Sequence, residues 1–193
     1  MDNLLYLYDL EYKSVIGVDE AGRGPLAGPV VAAAVILKQY SEELDEINDS
    51  KKLTEKKREK LYDIILNNFN VAVGIASVEE IDKLNILNAD FLAMRRALKD
   101  LEKFHEAKKD YIVLVDGNLK IKGYEGKQLP VVKGDAKSLS IAAASIIAKV
   151  TRDRIMKDLG LKYPDYDFEK NKGYGTKKHV EAIKTKGVLK NVH

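Results

Sequence analysis

At 193 residues the chain is long enough to bury one core, and no Pro-, Ser- or Gly-rich linker divides it, so a single domain over residues 1–193 is expected. It has no cysteine, which excludes disulfides, thiolate metal sites and a cysteine nucleophile; with no run of about 18 apolar residues and an acidic, not basic, start, a cytoplasmic protein without a membrane partner is expected. The net charge of +3 is unevenly placed: residues 1–50 carry −7 and residues 51–193 carry +10, most of it from Leu119 onward, a balance that suits either a polyanionic partner or a lysine-rich solvated surface.

Residues 3–12 suit a short helix. Residues 15–18 and 29–37 are β-branched runs bounded by turn residues and read as neighbouring strands on either side of an acidic loop. Thr54 is an N-cap followed by charged residues and then Leu61, Ile64 and Ile65 at helical spacing. Residues 70–77 return to strand, and residues 88–104 keep helical spacing through Phe91, Leu92, Met94, Leu98 and Leu101. Residues 111–115 form an almost wholly apolar strand. Val131 and Val132 close a shorter one before the loop Lys133-Gly134-Asp135-Ala136-Lys137. Ser138 then caps an Ala- and Ile-rich helix over residues 139–159, which should be the most buried. The tail from Lys162 is basic, glycine-punctuated and aromatic, with Tyr163, Tyr166, Phe168 and Tyr174. Buried strands alternating with helices indicate an α/β layer architecture.

Two apolar strands deliver carboxylates at their ends. The first ends in Asp19-Glu20 before the turn Gly22-Arg23-Gly24-Pro25, the second in Asp116-Gly117. Ligands of α/β sheets sit beyond the carboxyl ends of the strands, so these acids converge if the strands are neighbours. Asp135, in the loop before the buried helix, is a fourth candidate. Adjacent strand residues face opposite ways, so Asp19 and Glu20 should share a site only if the strand stops between them. Taken singly, Asp116 is also compatible with a plain Asp-Gly turn and Asp135 with a helix-start acid. A side-by-side Asp and Glu is harder to explain without a cation to offset the repulsion. An oxygen-only donor set selects Mg²⁺ or Mn²⁺ over zinc.

Lys51 and Lys52 stand just before a helix within Asp49-Ser50-Lys51-Lys52-Leu53-Thr54, either as solvated charges or in reach of a backbone phosphate. Tyr174, between glycines and ringed by lysines, is expected to be exposed and suited to stacking on a sugar or base. His105, His179 and His193 lie in separate segments and are expected at the surface, which leaves a histidine base unsupported. Gly22-Arg23-Gly24-Pro25-Leu26-Ala27 has the spacing of a dinucleotide turn, but Pro25, Gly28 and Pro29 interrupt the helix such a turn must open.

The segments Val18-Asp19-Glu20-Ala21-Gly22-Arg23-Gly24-Pro25, Asp49-Ser50-Lys51-Lys52-Leu53, Val115-Asp116-Gly117, Lys133-Gly134-Asp135, Lys172-Gly173-Tyr174-Gly175-Thr176, and the helix from Ile141 to Asp153 resemble ribonuclease HII in order over nearly the whole chain. The resemblance implies a ribonuclease H-like fold: a mixed central sheet flanked by helices, with a helical C-terminal part and a basic substrate-binding segment from about residue 160. It implies an endonuclease that cuts the RNA strand of RNA/DNA hybrids and incises at single ribonucleotides in duplex DNA, leaving 5′-phosphate and 3′-hydroxyl ends, in replication and repair. Asp19, Glu20, Asp116 and Asp135 match the acidic metal site, with two divalent ions in the active complex. Gly22-Arg23-Gly24 matches the segment that reads the ribose 2′-hydroxyl, and Tyr174 the tyrosine packed at the RNA to DNA junction. Type HII is expected over the related HIII, whose extra N-terminal domain is not seen. A monomer is adequate, and residues 187–193 offer no clear sliding-clamp peptide, so contact with a sliding clamp stays open.

Overall fold

The computed structural model describes residues 3–48, 50–105 and 110–193. Helix α1 (Leu4–Leu10), capped by the Asn3 side chain, leads into strand β1 (Val15–Ala21), which pairs antiparallel with β2 (Val30–Leu37). Helix α2 (Glu55–Asn68) follows, its Thr54 cap accepting from the Lys57 N–H, and then strand β3 (Phe69–Ala76). Helix α3 (Val78–Leu84), which periodicity did not reveal, is opened by a Ser77–Glu80 capping box. Helix α4 (Ile86–Leu101), strands β4 (Ile112–Asp116) and β5 (Gln128–Val131), and helix α5 (Leu139–Lys162) complete the main layers. Two short helices, α6 (Phe168–Asn171) and α7 (Lys177–Lys186), make up the C-terminal part.

The sheet order is β3-β2-β1-β4-β5, with β1 to β3 antiparallel and β1, β4 and β5 parallel. The mixed sheet and flanking helices expected from the family resemblance are therefore present. One face, carrying Ile16, Val18, Val113 and Val115, packs on α4; the other, carrying Ala33 and Val35, packs on α2 and α5. The three central alanines of β2, Ala32 to Ala34, are fully buried and let helices approach from both sides.

Helix α5 is buried around its whole circumference from Leu139 to Ala148, and apolar there except at Ser140 and Ser145, as suits a helix enclosed by protein. It lies directly on β1 at Gly17, where an added Cβ would fall 2.2 Å from the Ser140 carbonyl carbon. This close seating carries one face of α5 past the carboxyl end of β1, and so builds the site.

Candidate active site

Strands β1 and β4 are parallel neighbours with Val18 opposite Val115, so Asp19 and Asp116 come level on the face covered by α5. Asp19 is 5% exposed; the Ser145 hydroxyl of α5 stands close enough to favour its charged form, and its Oδ1 accepts from the Glu20 N–H at 2.7 Å. Asp116 Oδ1 accepts from the Gly134 N–H at 2.7 Å, which seats the turn Gly134–Ala136, with its buried Asp135, beside β4.

The strand does not stop between the adjacent acids. β1 continues to Ala21, paired with Val31, so alternation sends Glu20 to the opposite face, toward α4. There Glu20 Oε1 stands 3.4 Å from Arg23 Nη1, and Arg23 Nε stands 3.6 Å from Asp90 Oδ2 on α4. Glu20 nevertheless lines the same cleft as Asp19, because both stand at the open carboxyl end of the sheet.

Burial, reinforced by the charges of Glu20 and Asp116, holds the Asp19 carboxyl well above its ordinary range. Burial also raises Glu20, with Arg23 opposing and Asp116 adding. Among the described residues no three His, Asp or Glu side chains are gathered tightly enough to be a ready-made metal cage. The chemistry of the donors nevertheless fits a divalent cation: all are hard oxygens, and a positive ion would relieve the repulsion that now disfavours their charged forms.

Residues 22–29 join β1 to β2. Gly22 has φ 111°, and a Cβ there would lie 2.5 Å from both Arg152 Nε and the Pro29 oxygen. The Arg152 guanidinium, 1% exposed, donates from Nε to Pro29 O (3.0 Å), from Nη2 to Ala27 O (2.8 Å) and from Nη1 to Lys172 O (2.8 Å). One buried cation thus ties this loop to the segment before Tyr174. Gly173 O accepts from the N–H groups of Leu26 (2.9 Å) and Ala27 (3.3 Å), and the Tyr174 ring passes over Gly24, 3.5 Å from where a Cβ would stand. Tyr174 is 48% exposed, as expected.

A cleft of about 240 Å³ opens between these parts, lined by Asp19, Glu20, Gly22, Arg23, Gly24, Lys51 and Tyr174 of the expected residues. Asp116 lines an adjoining hollow with Glu20, Arg23 and Asp90. Lys52 is exposed and lines neither. Asp49 lies outside the described residues.

Sequence reasoning missed the partners from α5 and α4. Ser145, Lys149 and Arg152 line the cleft at helical spacings of four and three, a polar stripe that begins within the buried half of the helix and could have been noticed. Ser50 Oγ lies 2.7 Å from Ser145 Oγ, and Arg58 Nη1 donates to Ser50 O (2.9 Å) and Leu53 O (2.6 Å), so the segment bearing Lys51 is held against α5. Asp90, an acid on the buried face of α4, was the clearest overlooked signal. The surface expectation fails for His179: it is fully buried, with Nδ1 2.9 Å from Tyr174 O and Nε2 2.9 Å from His193 Nε2. Its neighbours Tyr166 and Phe168 are likewise buried, because the tail folds back as a small aromatic core.

The ribonuclease HII family model matches residues 16–193. The chain belongs to the ribonuclease HII family. A ribonuclease HII of Fusobacterium nucleatum is 82% identical over 193 residues, covering all of this chain and 89% of that protein. Ribonuclease HII of Archaeoglobus fulgidus, solved as a PCNA:RNase HII complex, superposes with a TM-score of 0.76 at 27% identity over 93% of each chain. Ribonuclease H2 of Pyrococcus horikoshii gives 0.74 at 31% identity over 93% of this chain and 91% of that one. As a ribonuclease HII, this chain is a hydrolase of the ribonuclease H type, an endonuclease whose substrates are nucleic acids. Among the described residues no helix is long and apolar enough to cross a membrane.

Proposed function

We propose that this ribonuclease HII is a divalent-metal-dependent endonuclease that cuts the RNA strand of RNA/DNA hybrids and incises at single ribonucleotides in duplex DNA. It leaves 5′-phosphate and 3′-hydroxyl ends and serves ribonucleotide removal in replication and repair. The observation that carries the reading is one cleft joining Asp19 and Glu20 to the Gly22-Arg23-Gly24 turn and to exposed Tyr174. Asp19, Glu20, Asp116 and Asp135 would hold two Mg²⁺ or Mn²⁺ ions, which supply activation of the attacking water and charge stabilisation at the scissile phosphate and leaving oxygen. The whole chain acts as one cytoplasmic, monomeric catalytic domain, with residues 160–193 as its substrate-binding segment.

The protein's own groups do the choosing. A 2′-hydroxyl both donates and accepts, so the N–H and C=O groups of the glycine turn can require it, and Arg152 fixes the stretch of loop that follows the turn, at Ala27 and Pro29. Tyr174 offers a ring face to the nucleotide beside the ribose, at a height set by its packing on Gly24. Lys51 and Lys149 face the cleft with sequence-independent charge for phosphates, and Lys52 adds to it at the periphery.

The test is digestion, with and without Mg²⁺, of three duplexes: all-DNA, an RNA/DNA hybrid, and DNA with one ribonucleotide. The last two should be cut only with Mg²⁺ and the first not at all. Tyr174→Ala should lose lone-ribonucleotide incision while keeping its melting temperature; wild-type incision by that variant would remove the junction role.

A further inference from the structure

Arg23 is shared between two acids of unequal surroundings. Its Nη1 is 3.4 Å from Glu20 Oε1, at the mouth of the cleft, and its Nε is 3.6 Å from Asp90 Oδ2. Asp90 is 1% exposed, and its second oxygen, Oδ1, is buried with no hydrogen-bond partner among the described residues. A buried carboxylate left half-satisfied on a helix is expensive, and nothing in α4 requires one there: the same face is otherwise Ala89, Phe91, Ala93, Met94, Ala97 and Leu98. Asp90 lines the hollow shared by Glu20, Arg23 and Asp116, so the acid borders the site and not only the core.

We propose that Asp90 is a positioning residue: its buried carboxylate holds the Arg23 guanidinium, and through it the Gly22-Arg23-Gly24 turn, in the place where the turn meets a ribose 2′-hydroxyl. Glu20 cannot do this alone. A carboxylate that binds a cation turns its oxygens toward the ion and away from a guanidinium, so Arg23 needs a second anchor that stays put when the site is charged. Asp90 is that anchor, because its helix is packed against the sheet independently of the loop. Arg152 fixes the later part of the same loop, at Ala27 and Pro29; Asp90 fixes its first part, so the turn is held at both ends. The inference rests on the reading that this turn recognises the 2′-hydroxyl.

The test compares Asp90→Asn, Arg23→Gln and the double variant in binding a duplex with one ribonucleotide and the matching all-deoxy duplex. Binding is measured at pH 9, above the value of about 8 to which burial and Glu20 push Asp90, so that the carboxylate is charged; Ca²⁺ replaces Mg²⁺ so that binding is read without turnover, and melting temperatures are measured alongside. In the wild type the ribonucleotide duplex should bind more tightly; if it does not, the reading of the turn falls and takes this inference with it. If the wild type discriminates, Asp90→Asn should reduce the ratio about fivefold, since a charge-assisted contact is lost, without lowering the melting temperature. Asp90→Asn should change nothing further in the Arg23→Gln background, a coupling that a merely structural role for Asp90 would not produce. Full discrimination by Asp90→Asn, additive effects of the two substitutions, or a raised Ca²⁺ requirement with unchanged discrimination would each overturn the proposal, the last by making Asp90 a metal ligand.

Discussion

Asp9 and Asp19 are both buried aspartates packed against helix α5, at opposite ends of the sheet, and they are treated differently. Asp9 Oδ1 accepts from Ser138 Oγ (2.5 Å) and Oδ2 from the Ser140 N–H (2.8 Å), so burial raises its carboxyl while these donors at the helix start oppose the rise. Asp19 has Ser145 and the Glu20 N–H, but it also faces two further acids, and nothing cationic approaches it closely among the described residues. A buried acid met by donors is a structural device; buried acids that face one another need a partner from outside the chain. The hollow of about 160 Å³ beside Asp9, lined by Tyr6, Tyr12 and Tyr111, accordingly has the furniture of a packing defect, and the cleft beside Asp19 that of a site.

The largest effect should come from the Asp19 side. Asp19→Asn should lower single-turnover cleavage on the order of a thousandfold, the scale of removing a charge-stabilising group, while leaving the fold as stable or more so. Cleavage within a few fold of wild type would erase the contrast. Next is the seating of α5 itself. Gly17→Ala puts a methyl within 2.2 Å of helix backbone and should cost about 3 kcal/mol in urea denaturation, with reduced cleavage because Ser145 moves away from Asp19.

Asp9→Ala is the mirror experiment. It strands the Ser140 N–H and the Ser138 hydroxyl and should cost about 2 kcal/mol of stability, with cleavage per folded molecule unchanged. A selective loss of cleavage would show that the two ends are not separate in role.

The acid cluster should also shape stability against pH. Burial, with Glu20 adding and Arg23 opposing, pushes Asp90 up to about 8, and Asp19 and Glu20 are raised as well. Their folded values exceed the unfolded ones of about 4, so the stability they lend is complete below that pH and is lost as pH rises through the folded values. The metal-free protein should therefore weaken between pH 4 and about 8, and Asp90→Asn should flatten the upper part of that decline. A metal-free midpoint that climbs across this window would contradict the sign. The smallest contrast is within the lysine pair: Lys51→Ala should reduce the slope of log binding against log salt by about 1, and Lys52→Ala by much less.

The sequence made the architecture legible wherever pattern and physics coincide. The β-branched run ending at Asp19, the apolar strand ending at Asp116 and the Ser138-capped helix were all readable, because burial dictates their composition. Helix α3 was not, since its seven residues hold a single buried side chain, Val78. The acids were legible as residues but not in their geometry. Only the pairing of β1 with β2 shows that the strand runs past Glu20, which places that carboxylate on the far face with Asp90. His179 was misread because the aromatic pocket that buries it is assembled from Tyr166, Phe168 and His193, a contact between distant turns that spacing does not encode.

Thermal unfolding at pH 8 with and without Mg²⁺, for the wild type and for the Asp19→Asn, Asp116→Asn double variant, tests the cation requirement most directly. The wild-type midpoint should rise with Mg²⁺ and saturate, because the ion binds only the folded cluster, and the variant's should not move. An equal rise in both proteins would contradict the assignment of these carboxylates to a metal site.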